Sequence, residues 1–493
     1  MLAGAFRRIT KTAASAFSTT AAATNLPQMP PCDFTPKPFD GMSKARAKEV
    51  RATHLSPAML TFYKDPVYVH QGHKQWLFDS DGKRYLDLFA GIVTVGVGHC
   101  HPTVLKAVVD QQETLWHTTN IYMHPKIHEY AERLTATLPD YLDVVYLVNS
   151  GSEANDLAMA MARLYTGKYD IVSLRNAYHG LSTFAMGATS LGNWMQQMPT
   201  RNGLLQSMNA DVYRGPWGGS NCREESSQVV DRTCDCSPGE CKASDMYAGQ
   251  LEDVLKHCTP KKIAGFIVEY IQGVGGCMQL PRGFISKAFE LIRAKGGLCI
   301  LDEVQTGFGR MGTHFWGFEA AGCQPDIIVM AKSIANGFPM GAVVTRKEIA
   351  ASLTSALHLN TFGGNPMACA AATAVLDVME EEKLQSHALD LGRYTLRKME
   401  ELRDKYPIIG DVRGRGLMLG MELVSDRETR TPLAPEIVAN IFEDCKDMGI
   451  LFGKGGLYGS CFRIKPPLCV TKEDIDFAMA VMDIAFQKHQ PQA

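Results

Sequence analysis

The chain has 493 residues, 45% hydrophobic and 21% charged, with 50 basic and 52 acidic side chains that leave a net charge of −2. This composition supports a large buried core and excludes wholesale disorder, collagen-like or coiled-coil architecture and a small disulfide scaffold. No field of one sign exists to attract nucleic acid or an anionic membrane, and no apolar run reaches the roughly eighteen residues of a transmembrane helix.

Residues 1–40 read as a leader and linker. Leu2, Phe6, Ile9, Ala13 and Phe17 recur at helical steps, Arg7, Arg8 and Lys11 are basic, and no acid precedes Asp33. A basic, amphipathic, acid-poor start fits a mitochondrial transit peptide and hence a matrix location. A proline-rich linker follows from Pro27 to Pro38. Residues 41–100 carry a hairpin signature at Asp81-Gly82 and are expected to pack with the C-terminal domain.

Residues 101–365 read as one large domain. The runs 144–148, 170–174, 263–268, 298–301 and 326–330 are short, β-branched and bounded by turn residues, so they predict buried strands. Helical stretches between them argue for an α/β fold whose mostly parallel sheet is covered on both faces. An insertion over 215–245 holds Cys222, Cys234, Cys236 and Cys241. Four cysteines could hold zinc, but the spacing has no paired C-x₂-C units and the Cys-Asp-Cys step is tight for a knuckle, so no metal is assigned. Residues 366–493, with an alanine-rich helix, a long amphipathic one and several short strand-like pieces, predict a smaller α+β domain.

In a mostly parallel sheet, ligands sit beyond the carboxyl ends of the strands. After 144–148 comes Asn149-Ser150-Gly151-Ser152-Glu153, where small residues at a helix start suit a phosphate, although Ser150 and Glu153 also make a plain capping box. After 170–174 come Tyr178, His179 and Gly180, where an aromatic ring could stack on a flat ligand or simply pack. Asp302 ends the fourth run, and a carboxylate there needs a cation or donors, whether from a protonated ring nitrogen or from a turn. Lys332 leaves the fifth run into a loop rich in Gly, Asn and Pro; partial desolvation would make its amine a nucleophile, unless it snorkels to water. Each feature alone has an ordinary structural explanation. Together they describe one ligand, pyridoxal 5′-phosphate.

NSGSEAND, AYHG, LDEVQTGFGR, AKSIANGFPMG and NTFGGNPMAC stand in the order found in the class III, fold type I aminotransferases, which the chain resembles from about residue 45 onward. GIVTVGVGHCHP, GPWGGSNC, THFWGFEAAG and FRIKPPLCVTK are most similar to the alanine–glyoxylate branch of that family. The resemblance implies a homodimer or homotetramer with each active site at a subunit interface. It implies transfer of an amino group from alanine, β-aminoisobutyrate or methylated arginines to glyoxylate or pyruvate.

By the same resemblance, Lys332 holds the cofactor through an imine and shuttles a proton, and Asp302 pairs with the ring nitrogen. Tyr178 and Val304 flank the ring, Gln305 meets its hydroxyl and Glu269 lines the site. Gly151 and Ser152 bind the phosphate, while Thr361 reaches the phosphate of the neighbouring subunit. Arg463 grips a substrate carboxylate. Two departures stand out. Tyr270 replaces a proline common after the strand-end glutamate. Val274 stands where ornithine-handling relatives carry a second glutamate, which leaves Arg463 unmasked. Three rival readings remain: a phospholyase, mutase or decarboxylase on the same cofactor, a dinucleotide enzyme built on Gly307, Gly309 and Gly312, and a zinc module.

Overall fold

The computed structural model describes residues 26–59, 61–219, 222–223, 236–237 and 240–490; the leader over 1–25 and Cys234 lie outside them. Seven strands form the main sheet: β1 (Val144–Val148), β2 (Ile171–Leu174), β3 (Leu204–Ser207), β4 (Gly265–Glu269), β5 (Leu298–Asp302), β6 (Ile327–Met330) and β7 (Gly341–Thr345). Their order is β1-β7-β6-β5-β4-β2-β3, and β7 alone runs antiparallel to its neighbours. The sequence pattern missed β3 and β7. β3 is an edge strand with polar Gln206 and Ser207. β7 follows β6 after only the 331–340 loop, which is too short for a crossover helix and therefore forces an antiparallel return.

The fold is α/β, and the strands read as continuous apolar runs because both faces are covered. Ile267, Ile300, Ile327, Val329 and Val343 pack on one face with helix α1 (Gly151–Thr166). Phe266, Val268, Leu301, Ile328 and Val344 join the larger core on the other. The alternation follows the two-residue period of a strand. Helix α1 starts where the Ser150 hydroxyl accepts the Glu153 N–H at 3.2 Å, and it ends at Gly167, whose φ of 62° is the left-handed stop that glycine adopts freely. Its buried face includes Leu157, Met159 and Met161, each contributing roughly 2 kcal/mol by burial.

A second, antiparallel sheet is built from Ile409–Arg415, Met418–Asp426, Cys461–Ile464 and Gly453–Gly455. Near the N-terminus, Trp76–Asp79 and Arg84–Asp87 form the expected hairpin. Asp79 Oδ1 accepts the N–H groups of Asp81 and Lys83 there, at 3.0 and 2.9 Å. Arg84–Asp87 then pairs in parallel with Ile450–Leu451, so the two ends of the chain share a sheet. A buried ionic network ties the 215–245 segment to the antiparallel sheet. Arg223 is bidentate on Asp411 at 2.9 and 2.7 Å, Arg413 bridges Asp411 and Glu422 at 2.8 and 2.6 Å, and Arg214 closes on Glu422. Among the described residues, no helix is long and apolar enough to cross a membrane.

Candidate active site

A cavity of about 270 Å³ opens where β1, β2, β4, β5 and β6 end. Gly151, Ser152, Tyr178, Glu269, Asp302, Val304, Gln305 and Lys332 all line it; Arg463 and Thr361 do not. The convergence is a consequence of topology. β5 lies between β4 and β6, so Asp302 stands in register with Glu269 on one side and Val329 on the other. Lys332 follows three residues beyond Val329.

Asp302 is buried and firmly held. Its Oδ2 accepts from Asn155 Nδ2 at 2.9 Å and meets His179 Nδ1 at 2.8 Å, and its Oδ1 accepts from the Val304 N–H at 3.0 Å. The carboxylate oxygen fixes the His179 tautomer with the proton on Nδ1. Among the described residues, Asn155 Oδ1 and His179 Nε2 are then buried polar atoms without a hydrogen-bond partner. Asn155 also donates to the His179 carbonyl at 2.8 Å, which locks α1 to the 177–180 turn.

Glu269 accepts N–H groups from Gly273 at 3.1 Å and Tyr178 at 3.3 Å. Burial, aided by the adjacent Asp302 charge, still raises its carboxyl to about 7. Lys332 adopts a left-handed φ of 52°, a strain of roughly 1 kcal/mol for a side-chain-bearing residue. Burial lowers its pKa, only partly opposed by Asp302 and Glu269.

At the helix start, Ser150 caps Glu153, and the Glu153 carboxylate reaches back to the Asn149 N–H at 2.7 Å. The N–H groups of Gly151 and Ser152 have no acceptor among the described residues. Gly180 makes room there: a Cβ on it would fall 2.2 Å from Ser152 Oγ. The reciprocal bond of a capping box thus falls one residue early, on Asn149 rather than Ser150, and the serine cap and an anion cradle are compatible uses of the same helix start.

Lys465 is fully buried and was not singled out from the sequence. Its Nζ donates to Gln305 Oε1 at 2.8 Å and to the Gly273 carbonyl at 3.2 Å. This turns the Gln305 amide so that its NH₂ is the remaining donor. Burial pulls the Lys465 amine down to about 7. Arg463, two residues earlier in the strand that Lys465 follows, donates to the Lys454 carbonyl at 3.1 Å and lies 5.0 Å over the Phe89 ring. Its acceptors among the described residues are carbonyls, not carboxylates, and Val274 beside it is buried and apolar. Asn155, His179 and Lys465 are the residues the motif-by-motif reading left without roles. The visible signals were a polar residue on the buried face of α1, a histidine next to Tyr178 and a basic pair two apart in a buried strand.

Thr361 sits on an exposed loop with Leu357, Leu359 and Phe362, and the adjacent Asn360 accepts from Asn149 at the cavity rim at 2.9 Å. Tyr270 turns to Arg415 of the antiparallel sheet and accepts its guanidinium at 2.5 Å. The dinucleotide reading fails on structure. No helix follows Gly307, Gly309 and Gly312 closely enough to meet a pyrophosphate, since Gly317–Ala320 is only one turn. Those glycines admit neighbours instead: Cβ atoms at 307 and 312 would lie 2.7 Å from Trp316 and 2.5 Å from the Leu389 backbone.

The family described as Aminotransferase class-III matches residues 62–486. Mitochondrial alanine–glyoxylate aminotransferase 2 of Homo sapiens is 52% identical over 464 residues, covering 94% of this chain and 90% of its own. Among solved structures, an aminotransferase of Bacillus anthracis is 30% identical at a TM-score of 0.81, covering 91% of this chain and all of its own (100%). A phospholyase from Arthrobacter, solved with phosphoethanolamine, is 29% identical at a TM-score of 0.79, covering 90% and 99%.

Proposed function

This chain belongs to the class-III aminotransferases, and from that premise we propose that it exchanges the amino group of alanine for the keto oxygen of glyoxylate, forming pyruvate and glycine on pyridoxal phosphate. The observation that carries this reading is the placement of Lys332, Asp302 and the open start of α1 around one cavity. The cavity residues fit the group. A helix start with unaccepted N–H groups suits a phosphate, and a buried amine suits an aldehyde. The orphaned Asn155 Oδ1 and His179 Nε2 offer polar contacts that the protein does not use.

When bound, the cofactor supplies an electrophilic carbon for amines and an aromatic ring that accepts an electron pair from the substrate. The protein does the rest. Gly151 and Ser152 would hold the phosphate. Tyr178 and Val304 would confine the ring, and Gln305, turned by Lys465, would offer its NH₂ to the ring oxygen. Asp302, its carboxylate fixed by His179 and Asn155, would hold the proton of the ring nitrogen. Lys332 Nζ, with its pKa lowered by burial, would take the proton from the substrate α-carbon and pass it to the other carbon bonded to the transferred nitrogen. Arg463 receives the substrate carboxylate with its two-pronged fork. β-Aminoisobutyrate and methylated arginines are further donors within this reading.

A second copy of the chain completes the site. Trp116, Ile121, Tyr122, Met123, Leu357 and Phe362 are exposed, with Met123 at 87%. Such a patch marks an interface, and it would bring Thr361 to the partner's phosphate. The basic leader and the mitochondrial relative support a matrix location. Residues 101–365 act as the cofactor-bearing unit and 366–493 as the smaller one.

Borohydride reduction of the protein loaded with pyridoxal phosphate, followed by peptide mapping, is expected to label Lys332. A label elsewhere, or none, refutes the assignment. Alanine with glyoxylate should yield glycine. Phosphate release from phosphoethanolamine without that exchange would point to the phospholyase chemistry instead.

A further inference from the structure

Away from the cavity, the two ends of the 215–245 segment come together. Cys222, Cys236 and Cys241 place their sulfurs within 4.8 Å of one another, and none of the three is joined to another by a disulfide. Cys222 and Cys241 are buried, whereas Cys236 is half-buried. In tetrahedral zinc thiolate sites the Zn–S distance is about 2.3 Å, so bound sulfurs stand about 3.8 Å apart, a small side-chain adjustment from this arrangement.

The surroundings suit an anion. Cys241 is the N-cap residue of helix Lys242–His257, where the helix dipole favours negative charge. Cys236 Sγ accepts the Lys242 N–H at 3.2 Å, the kind of outer contact that orients a metal-bound sulfur. Several buried thiolates side by side are costly without a cation between them. One disulfide would leave the third sulfur over. Three thiolates on one divalent ion leave a single negative charge, and Arg282 stands near to offset it.

We propose that Cys222, Cys236 and Cys241 bind a structural zinc ion that clips the two ends of the insertion to the start of helix Lys242–His257. None of the three lines the active-site cavity. The clip holds Cys222, and with it the next residue, Arg223, whose guanidinium is seated on Asp411 of the antiparallel sheet. The Cys222 carbonyl is also fixed, accepting the Arg282 N–H at 2.9 Å. The ion thereby ties the insertion to the antiparallel sheet. The sequence spacing alone gave no such assignment, because the three residues meet only through the fold.

The test uses the full chain, produced with zinc and purified without chelator. Elemental analysis is expected to give about one zinc per chain, and cobalt exchange to give the sulfur charge-transfer bands of a tetrahedral thiolate site. Cys222→Ser and Cys241→Ser should each lose the metal, while Cys258→Ser, at the exposed far end of the same helix, should retain it. Should the first two fail to fold, mercurial titration of the parent protein serves. Zinc should leave in step with modification of these three cysteines. The proposal is overturned by a metal-free parent protein, by a disulfide between any two of the three, or by zinc that survives their loss or blockage.

Discussion

Two clusters of buried charge lie in this molecule, and burial has opposite consequences in them. In the Arg223–Asp411–Arg413–Glu422–Arg214 network, each carboxylate oxygen faces a guanidinium. Burial by itself would raise Asp411 and Glu422, but the arginines outweigh it and hold both below their ordinary values. In the cavity and just behind it the charges are incompletely matched. Burial wins there, drawing Glu269 up to about 7, Lys465 behind Gln305 down to about 7 and Lys332 below its usual value. Paired charge makes a fixed joint. Unpaired charge makes groups that can gain or lose a proton near neutrality, which proton-transfer chemistry requires.

The sharpest way to break this contrast is Lys332→Ala. Rates with alanine and glyoxylate should fall by about 10⁴-fold, roughly 5.5 kcal/mol, while the melting temperature changes little or rises as the buried amine is removed. A variant that keeps its rate takes the chemistry away from the cavity. The converse variant is Arg223→Ala. It leaves Asp411 short of a partner and should cost about 3–5 kcal/mol in chemical denaturation, with kcat of the folded fraction unchanged. Loss of kcat without loss of stability would erase the distinction between joint and site.

Arg463→Ala should lower kcat/KM for alanine by about 10²-fold, close to 3 kcal/mol, and spare an amine that lacks a carboxylate. Equal loss on both donors would remove Arg463 from substrate recognition. Per pH unit, the smallest effect is expected from Lys465→Met, and it is a slope. The native amine titrates near 7 and an exposed one near 10.5, so between those pH values the unfolded chain binds more protons. Parent stability therefore rises with pH across that window, by at most about 1.4 kcal/mol per unit. The methionine variant should lack that rise, so its advantage in melting temperature should shrink as the pH increases. Parallel curves would mean that Lys465 titrates normally.

Much of the site was legible in the chain because a strand buried on both faces is an unbroken apolar run, and its end shows as an abrupt change of chemistry. Val148 gives way to Asn149-Ser150-Gly151, Leu301 to Asp302, and Met330 to Ala331-Lys332. Local pattern also marked the cap of α1 and the Asp81-Gly82 turn. It did not reveal β7, because the direction of a strand depends on what connects it to its neighbour.

Which strand ends become neighbours was decided by the sheet order alone. That order sets Asp302 beside Glu269. Packing of the antiparallel sheet brings Lys465 to Gln305 across 160 positions, and the fold of the 215–245 segment gathers three cysteines whose spacing fits no familiar finger. The residue types able to do chemistry are written in the sequence. Their protonation and their partners come from burial and proximity, and both exist only once distant segments have packed.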